Sequence, residues 1–176
     1  METALSETKY ISIVMTILIT GPECSGKSTL AEQLSAELHI PYFQEHARTY
    51  LNTHGSDYCY ADLLQIAQEH ADILDSSNSG SYILDTYLLN IKIWSEYKYG
   101  KVDPWIITQL SHLRFDHILL MEPDIEWTHD KLRENPDNRY ELFDIYKREL
   151  NTLDWSYDII SGSYDERLSR ALDLLR

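Results

Sequence analysis

Apolar residues along this chain follow two patterns, short unbroken runs and stripes that recur every three or four positions. The runs end at Thr20, Gln44, Asp85, Met121 and Ile160. The first begins near Ile11 or Met15, and the others are Tyr42–Gln44, Tyr82–Asp85, His117–Met121 and Asp158–Ile160. Short apolar runs without polar alternation are the mark of strands buried on both faces. Between them lie the stripes. Leu30, Leu34 and Leu38 recur at helical spacing in Lys27–Leu38, as do Leu63, Ala67, Ala71 and Leu74 before the turn-rich stretch Ser76–Gly80. Further helices are predicted through Trp94 to Tyr99 with a stop at Gly100, from Pro104 to about Leu113, through Tyr146 to Leu150, and from Asp165 to Leu175. Strands alternating with helices predict an α/β fold of three layers, a five-stranded parallel sheet covered on both sides.

One strand-to-helix junction carries recognisable chemistry. Gly21-Pro22-Glu23-Cys24-Ser25-Gly26-Lys27-Ser28 matches the phosphate-loop pattern G-x-x-x-x-G-K-S in full. Glycines let the backbone curl until successive N–H groups point at a phosphate, and the helix N-terminus adds partial positive charge. Lys27 is placed to reach the β- and γ-phosphates of ATP, Ser28 to coordinate Mg²⁺ and Thr29 to touch the α-phosphate. The expected architecture is therefore a P-loop NTPase fold with ATP and Mg²⁺ as its cofactors.

In open α/β sheets the ligand lies beyond the carboxyl ends of the strands. Glu45 and Asp85 stand at two such ends. A carboxylate there holds the metal shell or accepts a proton from an attacking hydroxyl, and either residue suits either role. Each has a plainer alternative: Asp85 as a helix cap, and Glu45 as a partner for Arg48 along a helix. Glu122 ends the fourth run, although Pro123 after it favours a turn. After this strand the segment Glu126–Asn138 is polar and charged, and Lys131, Arg133 and Arg139 fall within nine positions. The turn Asn135-Pro136-Asp137 separates Arg133 from Arg139, as in a mobile lid that carries arginines to a transferring phosphoryl group. The interleaved Asp130, Glu134 and Asp137 would equally suit a solvated surface loop.

Charge sharpens this picture. The 176 residues carry 15 Lys+Arg against 29 Asp+Glu, a formal net charge of −14. Such a surface repels nucleic-acid backbones, so the expected partner is a small molecule. The run Ile11–Ile19 is broken by Ser12 and Thr16 and falls far short of the roughly 20 residues of a membrane helix. Cys24 and Cys59 form no C-x-x-C pair and read as free thiols, which together with the lack of a secretory pattern makes the cytoplasm the expected compartment. Residues 1–9 carry no periodic signal. Residues 1–14 are expected to form a flexible tail, with Met15 as an alternative start, and 15–176 a single P-loop domain.

With these residues in place the chain resembles the ribosylnicotinamide kinase domain of NadR-type proteins, P-loop kinases related to deoxynucleoside and thymidylate kinases. The likeness runs from Thr16 to Ala171. It is carried by residues 21–30, Glu45 with Arg48, Asp85 with Thr86, Lys92 with Trp94, Tyr99 with Gly100, Asp124 with Trp127, and Leu132 with Arg133. The resemblance implies transfer of the γ-phosphate of ATP to the 5′-hydroxyl of nicotinamide riboside. It gives Lys27, Asp85, Glu45, Arg133 and Arg139 catalytic roles. The acceptor-side candidates are Glu45, Arg48 and Gln68, with an exposed helix face as the alternative for Gln68, and, from their positions after Asp85, the aromatic residues Tyr87 and Trp94. Two positions depart from the pattern. Gln44 stands where an aromatic residue can precede the Glu45 position, and Tyr87 where a second acid often follows Asp85. Both touch the acceptor wall, so a kinase for another nucleoside or small alcohol, or a regulatory P-loop ATPase, are the competing readings. Neither an H-x-G-H motif nor a helix-turn-helix pattern occurs in these 176 residues.

Overall fold

The structure is a computed structural model that describes residues 14–77 and 80–176. Most of the expected tail lies outside those residues. Five strands, β1 (Thr16–Thr20), β2 (Tyr42–Phe43), β3 (Tyr82–Asp85), β4 (His117–Met121) and β5 (Asp158–Ile160), form one sheet of order β2-β3-β1-β4-β5. All four pairings are parallel. The helices are α1 (Lys27–Leu38), α2 (His46–His54), α3 (Tyr60–Ser77), α4 (Leu88–Tyr99), α5 (Pro104–His112), α6 (Arg139–Thr152) and α7 (Tyr164–Leu174).

Period-two alternation divides the apolar strand residues between two cores. Ile17, Ile19, Ile83, Leu119, Met121 and Ile160 pack with Leu30, Ala31 and Leu34 of α1 and Ala171 of α7. Leu18, Leu84, Ile118 and Leu120 point to the opposite face, where they join Leu63 and Ile66 of α3, Leu88 and Ile91 of α4, Ile106 of α5 and Tyr146 of α6. Leu18, Ile19 and Leu84 are fully buried, each stabilising the fold by roughly 1.5–3 kcal/mol. The central runs β1, β3 and β4 lack polar alternation because both of their faces are buried, whereas the edge strands β2 and β5 are partly exposed.

The sequence pattern did not announce α2. His46–His54 mixes polar residues with Ala47, Tyr50 and Leu51, which face the core. The fourth-strand connection ends at Asn138, as its polar run suggested, but Arg139 is then the first residue of α6 and not part of the connection. The chain moves out to β2 and back to β3 on one side of β1, then crosses to β4 on the other. That reversal makes the carboxyl end of β1 the switch point of the sheet, and Gly21 follows it directly.

Candidate active site

Backbone geometry at the end of β1 explains the two glycines. Gly21 has φ +136°, and a Cβ there would lie 2.7 Å from the Met121 carbonyl oxygen of β4. Gly26, at φ +82°, caps α1 in the left-handed region. Within the loop, Ser25 Oγ donates to the Pro22 carbonyl at 2.7 Å, and Lys27 Nζ donates to the same oxygen at 2.6 Å. The lysine thus folds back over its own loop and is almost wholly buried.

Sequence gave no hint of what braces the loop from below. Arg167 of α7 is 1% exposed and donates to the carbonyls of Ser25 (2.8 Å), Gly162 (2.6 Å) and Glu122 (3.0 Å), and to the Asp124 carboxylate. A planar guanidinium serves several acceptors at fixed angles, as this junction of three loops requires. Glu122 therefore contributes a backbone carbonyl to the brace.

A cavity of about 350 Å³ opens above the P-loop and is lined by all of Gly21–Thr29. Its other walls include Glu45, Arg48, Asn90, Trp94, Arg133, Glu134, Tyr146 and Tyr164. Glu45 precedes α2. Burial raises its pKa; the positive charge of Lys27 opposes the rise and the nearby Asp85 charge adds to it. Asp85 ends β3 on the α1 side, 2% exposed, and is not among the residues that line the cavity. Burial raises its pKa as well, against Lys27 and a hydrogen bond with Ser28. Its Oδ1 is buried without a hydrogen-bond partner. A buried carboxylate oxygen beside a serine hydroxyl offers hard donors suited to Mg²⁺, which is commonly held by one or two carboxylates together with waters and substrate phosphates. Among the described residues no group of three or more His, Cys, Asp or Glu is arranged to hold a metal by itself.

Residues distant in sequence complete the wall. Thr20 Oγ1 donates to Asn90 Oδ1 at 2.7 Å, and the Asn90 side chain bonds to the buried Tyr146 hydroxyl, whose pKa is raised by burial and then by Glu45 and Glu23. Trp94 faces the cavity, and its Nε1 donates to the Tyr58 hydroxyl at 2.7 Å.

The segment 126–138 lies against the P-loop. Arg133 lines the cavity and donates to Cys24 Sγ at 3.3 Å and to the Thr128 carbonyl. Arg139 sits outside the lining, where its Nη1 donates to the carbonyls of Cys24 (3.0 Å) and Ile125 (3.1 Å). Both guanidiniums lie over the Trp127 ring, at 5.8 and 5.6 Å from its centroid. Arg48 reaches across from α2 to Asp130 at 2.9 Å.

Two expected acceptor residues fall elsewhere. Tyr87 is buried in the α3–α4 core, edge-on to His70 at 4.9 Å, and burial pushes its pKa up to about 12. Continued strand alternation would have put it on the side of Asp85, but Thr86 has φ +67° and turns the chain over. Gln68 is exposed on α3, away from the face formed by Leu63, Ile66, Ala67, His70 and Leu74. It takes the exposed-face alternative.

Comparison with known proteins agrees with this geometry. NadR of Escherichia coli (strain K12), described as a trifunctional NAD biosynthesis/regulator protein, is 28% identical over 174 residues. That match covers 93% of this chain and 42% of the relative, so the chain spans less than half of that protein's length. A crystal structure of NadR protein in complex with NR superposes with a TM-score of 0.79 at 21% identity, over 92% of this chain and 50% of that one. Deoxyadenosine kinase from M. mycoides superposes at 0.67 with 17% identity, over 92% and 98%. These superpositions establish the fold as that of P-loop kinases. The family model described as an AAA domain matches residues 16–167, nearly the whole described chain and all of the loop, carboxylates and lid discussed above. The chain belongs to this AAA-domain family of P-loop proteins.

Proposed function

We propose that the chain is an ATP-dependent kinase that phosphorylates the 5′-hydroxyl of nicotinamide riboside to give nicotinamide mononucleotide. The observation that carries this reading is the shared cavity, in which the P-loop meets Glu45 on a wall bearing Trp94 and Tyr146. The likeness to NadR supports the acceptor.

In the proposed step the acceptor oxygen forms a bond to the γ-phosphorus as the bond from that phosphorus to the β–γ bridging oxygen breaks, and ADP leaves. Glu45, in the cavity wall, takes the hydroxyl proton. Its raised pKa suits a base, because it is a stronger proton acceptor than an ordinary carboxylate. Lys27 and the loop N–H groups hold the nucleotide phosphates, and Arg133 adds positive charge from the lid. Asp85 and Ser28 would hold Mg²⁺, which when bound offsets negative charge on the phosphate oxygens.

The nicotinamide ring is cationic, and Glu23, Glu45 and Glu134 line the cavity with the aromatic faces of Trp94 and Tyr146. Such walls favour a cationic ring over a neutral base. In an ADP-release assay, nicotinamide riboside is expected to give a higher kcat/KM than thymidine, deoxyguanosine or uridine. A different winner would remove the nicotinamide assignment and leave a nucleoside kinase. ADP release that no nucleoside stimulates would favour a P-loop ATPase.

A further inference from the structure

The lid residue Glu134 is held from both ends. Its backbone N–H donates to the two carboxylate oxygens of Glu23, in the P-loop, at 3.1 and 3.0 Å, and the next N–H, of Asn135, donates to Glu23 Oε1 at 2.5 Å. The Glu134 side chain points the other way. It accepts from the Tyr58 hydroxyl at 3.1 Å and from Lys98 Nζ, on α4, at 3.0 Å. The Tyr58 hydroxyl is fully used, since it also accepts from Lys98 Nζ at 2.5 Å and from Trp94 Nε1 at 2.7 Å. The lysine stands over the Tyr58 ring as well, 3.9 Å from its centroid.

We propose that Lys98 and Tyr58 are positioning residues for phosphoryl transfer, which act through Glu134 to hold the lid against Glu23 and so close the nucleotide and acceptor halves of the cavity together. The kinetic consequence rests on the kinase reading above, whereas the latch itself does not. An isolated ion pair as exposed as this one, with side chains 35% and 47% accessible, would contribute little. Here the pair belongs to a network in which the hydroxyl, indole and ammonium fix one another's geometry. Charge also matters. In a chain of net charge −14, Lys98 is the cation paired with a glutamate whose backbone is tied to a second glutamate. Without that cation the Glu134 carboxylate loses its ion pair and the lid loses its side-chain tie to α4, which favours opening. An open lid admits water to the γ-phosphate and lets ATP be spent without transfer.

The test compares wild type with Lys98→Met, Lys98→Arg, Glu134→Gln and the Lys98→Met/Glu134→Gln double variant. Amide hydrogen exchange over residues 126–138 is measured in the presence of Mg·ATP, together with the fraction of ADP released without phosphorylation of nicotinamide riboside. Lys98→Met is expected to speed exchange in that segment and to raise the uncoupled fraction, each by about threefold or more, while Lys98→Arg stays near wild type. Glu134→Gln should reproduce the effect, and the double variant should add nothing to it, since both changes cut one latch. Unchanged exchange in both single variants overturns the proposal. Additive effects overturn it too, because Lys98 would then act elsewhere than through Glu134. A lid that loosens while the uncoupled fraction stays fixed removes the role in transfer. Should wild type fail to phosphorylate nicotinamide riboside, the acceptor reading falls, and the exchange measurements still decide the latch.

Discussion

Lys27→Ala is expected to abolish stabilisation by Mg·ATP and to lower turnover by roughly 100- to 1,000-fold, the range typical for losing one preorganised charge stabiliser. A ligand at about 100 times its Kd stabilises a protein by roughly 2.7 kcal/mol, worth about 5–10 °C of melting temperature in a chain of this size. The wild type should show that shift and the variant almost none. The fold should survive, because among the described residues the Lys27 ammonium bonds to the Pro22 carbonyl of its own loop and does not join the packed cores. Thermal melts with and without Mg·ATP make the comparison. An undiminished shift in Lys27→Ala would remove the P-loop from nucleotide binding.

Asp85→Asn should move activity and stability in opposite directions. Turnover is expected to fall by about 100-fold or more, because the amide keeps the shape and loses the charge that a metal-holding carboxylate needs. The melting temperature without ligand should rise at neutral pH. Burial raises the pKa of Asp85 in the folded protein, so the folded state keeps a proton that the unfolded chain has already released. Stability therefore falls as pH climbs from the ordinary aspartate value of about 4 through the raised one, and the loss persists above it. Asparagine carries no such loss, so the difference in melting temperature should shrink as the pH is lowered toward about 4. Melts at several pH values, paired with turnover, test both halves. Wild-type activity in Asp85→Asn would remove Asp85 from the metal site, and a lower melting temperature would mean that its charge is stabilised in the fold.

What the sequence revealed, and what it hid, follows from how far each signal reaches along the chain. The P-loop was readable because its glycines, lysine and serine act within eight consecutive residues, Gly21–Ser28. The central strands β1, β3 and β4 were readable because burial on both faces strips them of polar alternation. Asn90 and Tyr146 were not, since their site is made only when α4 and α6 meet beside β1. Arg167 was hidden for the same reason: a buried arginine and a surface arginine look alike until the three carbonyls around it are seen. Tyr87 misled because the positive φ of Thr86 breaks an alternation that the sequence implies will continue. Arg139 was placed near the right loop, yet as the start of α6 it holds backbone carbonyls from outside the cavity.

The most direct measurement follows the phosphorus. The protein is incubated with Mg·ATP labelled at the γ-phosphate and with nicotinamide riboside, and the products are separated and identified by mass spectrometry and ³¹P NMR. The label should appear in a 5′-phosphomonoester of the riboside, mole for mole with ADP. Label found only in inorganic phosphate, with the riboside recovered unchanged, would contradict the proposed transfer.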